Sequence, residues 1–443
     1  MGNEHDLKLN DKDPNNNDNK PWMYLVVIAF LIGLSICTYS IMRVDSLSKE
    51  RSYNNTDYVQ NISQRPEVNG TNSSQNSPTH SSTMDITNVP SATHSIDNKD
   101  ESEVVNVGTT NTPPVVKGIY IPASTAGSKK IEDLITLAAS TELNAFVIDV
   151  KGDNGKISYK MDNAMAKMIG ADTGTISDIK ALTRKLKSKN IYLIARIVAF
   201  KDPYLASKRH DLAIKNKNGT LYKDNNNDYW VNPYNKQVWN YVVGVASQAA
   251  KDGFDEIQFD YIRFSTGDEI KKVDFGASAK NKSKQEVITE FTKYACETLH
   301  PLGVAVSADV YGTIINSEID SKIVGQDYKS MAKYLDYICP MIYPSHFSEG
   351  NYGIKHPDTK PYDMIYKVLM KSEEKLKELP KNNHVAIVRP WLQDFTASWI
   401  THHIPYTGEE VRAQIKGVYD AGYGEWMLWN SGCSYSQDGL LKK

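Results

Sequence analysis

Cysteine is scarce in this chain, with four in 443 residues. Cys37, Cys296, Cys339 and Cys433 are widely scattered, and no CxxC or Cys/His spacing marks a metal site. The three in the second half cannot all pair with one another. Charge of one sign is also lacking: the formal net charge is −2, which offers neither a basic surface for nucleic acid nor an acidic tail. The first 20 residues are Asn, Asp and Lys with almost nothing apolar, a composition that buries too little to offset the entropy of ordering.

The next stretch has the opposite character. Met23–Met42 runs twenty residues without a charge, long enough to cross a bilayer as one helix. Trp22 and Tyr24 suit the interface, and Lys20 and Arg43 bracket the span. No small-residue cleavage site comes after it, so an uncleaved anchor is expected rather than a signal peptide. Residues 43–112 are rich in Ser, Thr and Asn and read as a flexible tether. Lysines and arginines flank the span evenly, so charge does not orient it. Long domains cross largely regardless of charge, and the C-terminal domain is expected outside the cell membrane.

From Pro113 onward, strand-like and helix-like stretches alternate. Strands are expected at 117–121, 145–150, 191–198, 256–260, 304–310, 337–343, 384–390 and 425–429, with amphipathic stretches between them. Near-continuous apolar strands alternating with helices imply a parallel sheet buried on both faces. Eight such units over residues 113–443 predict a (β/α)8 TIM barrel, an α/β fold. The first strand–helix turn, 122–129, has no GxGxxG, which counts against a dinucleotide fold.

The stretch that stands out is Gly253–Phe264, GFDEIQFDYIRF: a short strand delivering Asp260 to its C-terminal end, where barrels carry their chemistry. Other strands end alike. Asp149, Arg196, Asp309, Tyr343 and Arg389 close theirs, while Arg263, Trp391, Gln393 and Trp429 stand at or just beyond strand ends. Carboxylates, bidentate polar groups and flat aromatics converging on one rim suit a sugar. Glycoside hydrolysis generally needs one ionised and one protonated carboxyl. Asp260 is expected as the ionised nucleophile or base and Asp309 as the general acid, with Arg196 or Arg263 holding Asp260 charged. Asp149, Arg196, Arg263, Tyr343, Arg389 and Gln393 are expected to bind substrate, and Trp391 and Trp429 to stack on it.

Six segments carry a resemblance to a known family. ARIVAFKDP (195–203), GFDEIQFDYIRF, VSADVYG (306–312), ICPMIYPSHF (338–347), RPWLQDF (389–395) and GEWMLWN (424–430) resemble the bacterial glycoside-hydrolase-like family DUF4015, in order across 116–430. The resemblance implies a TIM-barrel hydrolase domain without naming a substrate. Ser265 stands where that family has proline. A fainter similarity links strand 4 to the chitinases that carry DxxDxDxE. Asp255 and Asp260 match, but Gln258 replaces an acid and Ile262 stands in place of the catalytic Glu, which argues against their substrate-assisted mechanism. The amylase pattern is weaker, since its arginine two residues before the nucleophile is Gln258 here.

No cofactor or metal is expected. His402 and His403 are adjacent and point apart, with no third ligand spaced nearby, and the DNNND run at 224–228 lacks the Gly and terminal Glu of an EF-hand. A metal-dependent deacetylase would need histidines at strand ends, and His346 alone comes close. The reading is a membrane-anchored glycoside hydrolase with an extracellular or cell-wall polysaccharide as its partner. The alternative is a barrel that binds carbohydrate without cleaving it.

Overall fold

The computed structural model describes residues 113–443. The expected tail, anchor and tether, 1–112, lie outside the described residues. Eight parallel strands form one closed sheet: β1 (Lys117–Ile121), β2 (Ala145–Lys151), β3 (Tyr192–Val198), β4 (Glu256–Asp260), β5 (Ala305–Tyr311), β6 (Tyr337–Met341), β7 and β8 (Trp426–Trp429). Strand β7 is split into Ile387–Val388 and Trp391–Gln393. Neighbours in sequence are neighbours in space, and the second half of β7 pairs with β8 to close the ring. This is the (β/α)8 barrel expected from the alternation.

Crossover helices cover the outside: α1 (Ile131–Ser140), α2 (Ile179–Lys187), α3 (Lys236–Lys251), α4 (Lys284–Leu299), α5 (Tyr328–Ala332), α6 (Pro361–Lys377) and α7 (Gly408–Asp420). Their starts are written in the sequence. Asp178, Asn235 and Asp327 each accept a backbone N–H of the first turn, and Ser283 with Glu286 and Thr407 with Glu410 form reciprocal capping boxes. After β8 the described residues hold only a 3₁₀ turn, Gln437–Gly439, in place of an eighth helix. Gly253 opens the link into β4 at φ +105°, and a Cβ there would meet Thr183 Oγ1 at 2.9 Å.

Two hydrophobic clusters explain the unbroken apolar strands. Odd residues of β4 and even residues of β5, among them Ile257, Phe259, Val306 and Ala308, pack outward against the helices. Val147, Ile194, Cys339 and Met427 fill the barrel interior. Interior positions on β4 are all polar: Glu256, Gln258 and Asp260 point inward in turn and are all buried. Since the strand rises about 3.3 Å per residue, Glu256 sits on the order of 13 Å below Asp260. The two acids therefore occupy opposite ends of the barrel.

That height difference corrects one expectation. Arg389, expected at the rim, is fully buried in the lower barrel. Its Nη1 donates to both oxygens of Glu256 at 2.9 Å, and its Nε donates to Glu425 at 2.6 Å. Glu256 begins β4 and Glu425 precedes β8, so this network lies at the N-terminal ends of the strands. The cause is the split in β7: the strand resumes after Pro390, which makes Arg389 a mid-strand residue.

Candidate active site

A cavity of about 370 Å³ opens at the C-terminal ends of the strands. It is lined by Asp153, Arg196, Asp260, Tyr261, Arg263, Asp309, Tyr311, Gly312, Thr313, Met341, Tyr343, His346, Phe347, Trp391 and Trp429. The pairing of β4 with β5 runs through Phe259↔Ala308, so the next residues on the two strands are Asp260 and Asp309. Adjacent strands lie about 4.8 Å apart, which brings the two carboxylates to one level of the rim on neighbouring strands.

Arg196 organises the acids. Its Nη1 donates to Asp149 at 2.7 Å, its Nη2 to Asp153 at 3.0 Å, and its Nε and Nη2 to Asp260 Oδ2 at 3.0 and 2.5 Å. The guanidinium is buried, so these charge-assisted bonds act in a medium that screens them weakly. The second oxygen of Asp260 accepts the Tyr261 backbone N–H at 2.6 Å. Tyr261 itself takes φ +47°, a left-handed conformation that costs a non-glycine residue about 1–2 kcal/mol.

Asp309 has a different environment. It is 2% exposed, and its Oδ1 accepts the indole N–H of Trp391 at 2.6 Å. Burial and then the nearby Asp260 charge push its carboxyl well above the usual carboxylate range, against the weaker pull of the Trp391 bond. One carboxylate ion-paired and its neighbour driven toward the protonated form is the division that acid–base chemistry needs. Burial, with Asp309 and Asp260 beside it, raises Tyr343 well above an ordinary phenol and keeps it a hydrogen-bond donor. Gly312 lets the chain pass the β6 backbone here, since a Cβ would meet the Met341 carbonyl oxygen at 2.7 Å.

The remaining expected residues divide. Arg263 borders the cavity but does not hold Asp260: its Nη1 donates to the Phe264 carbonyl at 2.8 Å, and its guanidinium lies about 5 Å from the rings of Trp230, Tyr261 and Tyr311. Asp149 lies behind Arg196 rather than on the cavity wall; Tyr120 donates to it at 2.6 Å, and burial raises its carboxyl despite Arg196. Gln393 is fully buried and joins β7 to Asp358 and Ser345, at 2.9 and 2.7 Å, instead of facing a ligand. Trp391 reaches the cavity, yet it is 1% exposed and its polar edge acts on Asp309. Trp429 also borders it, with one face stacked on Tyr120 at 4.1 Å.

The sequence pattern offered no role for Asp153, Tyr261 or Phe347, and it placed Tyr311 at the end of β5 and His346 just beyond β6 without assigning either to the site; all five line the cavity. Asp153 had a signal, four residues past Asp149 in the turn KGDNG. Burial lowers the pKa of His346 and favours its neutral ring. The DNNND run forms a turn: Asp224 Oδ1 accepts the backbone N–H of Asn226 and Asp228, both at 2.9 Å.

A rim of paired carboxylates and aromatics on a closed parallel barrel agrees with what the chain is similar to. The family DUF4015, described as "Putative glycosyl hydrolase domain", matches residues 118–435. The chain belongs to this family. Among solved structures, the glycoside hydrolase domain of PgaB (BpsB) from Bordetella bronchiseptica shares the fold at 12% identity and a TM-score of 0.52, over 72% of this chain and 94% of that one. A hypothetical protein from Ruminiclostridium thermocellum is 40% identical over 43% of this chain and 97% of its own, with a TM-score of 0.41. A search of curated proteins finds no match. Among the described residues of this DUF4015 chain, no helix is long and apolar enough to cross a membrane, and Met23–Met42 lies outside them.

Proposed function

We propose that this DUF4015 chain is a membrane-anchored glycoside hydrolase that cleaves O-glycosidic bonds of an extracellular or cell-wall polysaccharide. The observation that carries the reading is the Asp260–Asp309 pair in one cavity, with Arg196 on the first and Trp391 on the second. Protonated Asp309 gives its proton to the glycosidic oxygen as the bond to the anomeric carbon breaks. Asp260 either attacks that carbon or takes a proton from the attacking water, and Arg196 fixes its orientation. Tyr343 donates to a sugar hydroxyl. The anchor at 23–42 and the tether after it suit a substrate too large to enter the cell.

The test is reducing-sugar release by the full-length chain from a panel of glycans, with Asp260→Asn as the matched control. Release by the parent that disappears in the variant is expected. Equal release by both would remove Asp260 from the chemistry, and binding without release would leave a carbohydrate-binding barrel. The anomer formed first, read by NMR, assigns the role of Asp260: retention makes it the nucleophile, inversion the base.

An aromatic shelf continues outward from the cavity. Phe395 packs edge-on to Tyr343 at 5.9 Å, and Trp399, 67% exposed, stacks nearly parallel to Phe395 at 5.9 Å. An exposed tryptophan held flat beside the opening is a platform for further sugar rings of a polymer. Stacked aromatic pairs are worth about 0.5–1.5 kcal/mol, and that scale is taken for a sugar face on the indole. Trp399→Ala is therefore expected to raise KM for long oligosaccharides by about twofold to tenfold, with kcat unchanged. The same KM change on a disaccharide would place Trp399 outside any extended subsite.

A further inference from the structure

A second group of ligating side chains lies outside the acid cluster. Glu349 and His356 belong to the loop between β6 and α6, and His402 belongs to the loop between β7 and α7. One ligating atom from each lies within 4.8 Å of the other two. His402 Nδ1 and His356 Nδ1 both meet Glu349 Oε1, at 2.6 and 3.0 Å, and the two imidazoles lie 3.8 Å apart at their centres. Adjacent His403 turns the other way and bonds the Ile400 carbonyl, as neighbouring histidines are expected to do. The partners that spacing did not offer His402 come from up to 53 residues earlier in the chain.

Two ring nitrogens aimed at a single carboxylate oxygen leave a place where one cation would replace two N–H protons. Each ring then carries its proton on Nε2. Two imidazoles and a carboxylate suit a borderline-soft divalent ion, with bonds of about 2.0–2.2 Å and a fourth position for water. Magnesium and calcium prefer all-oxygen shells. We propose that Glu349, His356 and His402 bind a zinc-class divalent cation that fastens the two rim loops together. The first loop carries Phe347 of the cavity wall, and the second carries Phe395 and Trp399. The ion is a fastener for the rim, remote in role from Asp260 and Asp309.

The experiment needs no glycan. The full-length, tag-free chain is stripped with EDTA and titrated with Zn²⁺ against a chromogenic chelator. The parent is expected to take up about one equivalent beyond the background of its variants. Loss of an outer-shell partner alone costs roughly 10–100-fold in metal affinity, so His402→Ala and Glu349→Gln are each expected to cost at least about 100-fold. His403→Ala is expected to bind like the parent, and excess Mg²⁺ or Ca²⁺ not to compete. Zn²⁺ should also raise the melting temperature of the parent and of His403→Ala but not of the two ligand variants. Equal Zn²⁺ uptake by the parent and His402→Ala, or equal losses in His402→Ala and His403→Ala, would overturn the proposal.

Discussion

Asp309→Asn is expected to lower glycan cleavage by about 10²–10⁴-fold while making the folded chain more stable at neutral pH. The two effects share one cause. Asp309 is buried beside the Asp260 charge, which drives its carboxyl well above the ordinary range. Folding therefore raises its pKa relative to the unfolded chain, where a carboxyl titrates at about 3.9. Between the unfolded and the folded value the native state holds more protons, so its stability falls as pH rises through that window. Asparagine resembles the protonated acid: its Oδ1 still accepts the Trp391 N–H, and it never carries a buried charge. The variant should lose the pH dependence that Asp309 imposes on the parent. The same titration fixes the alkaline side of the parent's activity, since the acid must be protonated to assist the leaving group. Melts of both proteins across neutral pH, with glycan release on the same samples, check this. A variant as active as the parent, or one destabilised equally at every pH, would remove Asp309 from the role of acid.

The barrel was legible in the sequence because local pattern and global fold agree. Alternating strands and amphipathic stretches predicted it, since every strand buried on both faces must read as nearly continuous apolar residues. Asp260 and Asp309 were legible because each comes after such a run at its C-terminal end. Arg196 was legible as a partner because it lies one strand away from Asp260.

The features that stayed hidden depend on height and rotation within the barrel. Asp149 and Gln393 stand at strand ends like the cavity acids, yet they turn into hydrogen-bond networks behind the wall. A one-dimensional pattern assigns a face, not a depth. Trp391 was legible as an aromatic at the rim, but its use as a donor to Asp309 depends on a rotamer. Loop residues were the least accessible. Asp153, His346 and the group of Glu349, His356 and His402 come together only through the course of the loops.

Arg389→Met shows how much that difference in depth matters. The substitution is expected to destabilise the chain by about 3–5 kcal/mol, the usual consequence of leaving buried charge unpaired. Glu256 would keep only the Ser307 hydroxyl, now 2.5 Å from its Oε1, and Glu425 would lose its 2.6 Å partner. The Tyr337 ring, 3.6 Å from the Arg389 guanidinium, would lose its cation contact as well. Domain stabilities run to about 5–15 kcal/mol, so a loss of this size removes a large part of the margin. Methionine fills most of the arginine's volume, which makes charge rather than a void the main cost. Adding Glu256→Gln and Glu425→Gln to Arg389→Met should therefore recover much of the stability, because neutral amides need no counter-charge. Urea denaturation of the single and triple variants measures both changes, and glycan release per folded molecule should match the parent in each. A single variant that unfolds with the parent but fails to bind or cleave glycan would return Arg389 to the substrate site. The expected result instead makes it the counter-charge that permits a polar column, Glu256 and Gln258 beneath Asp260, to run up the inside of the barrel.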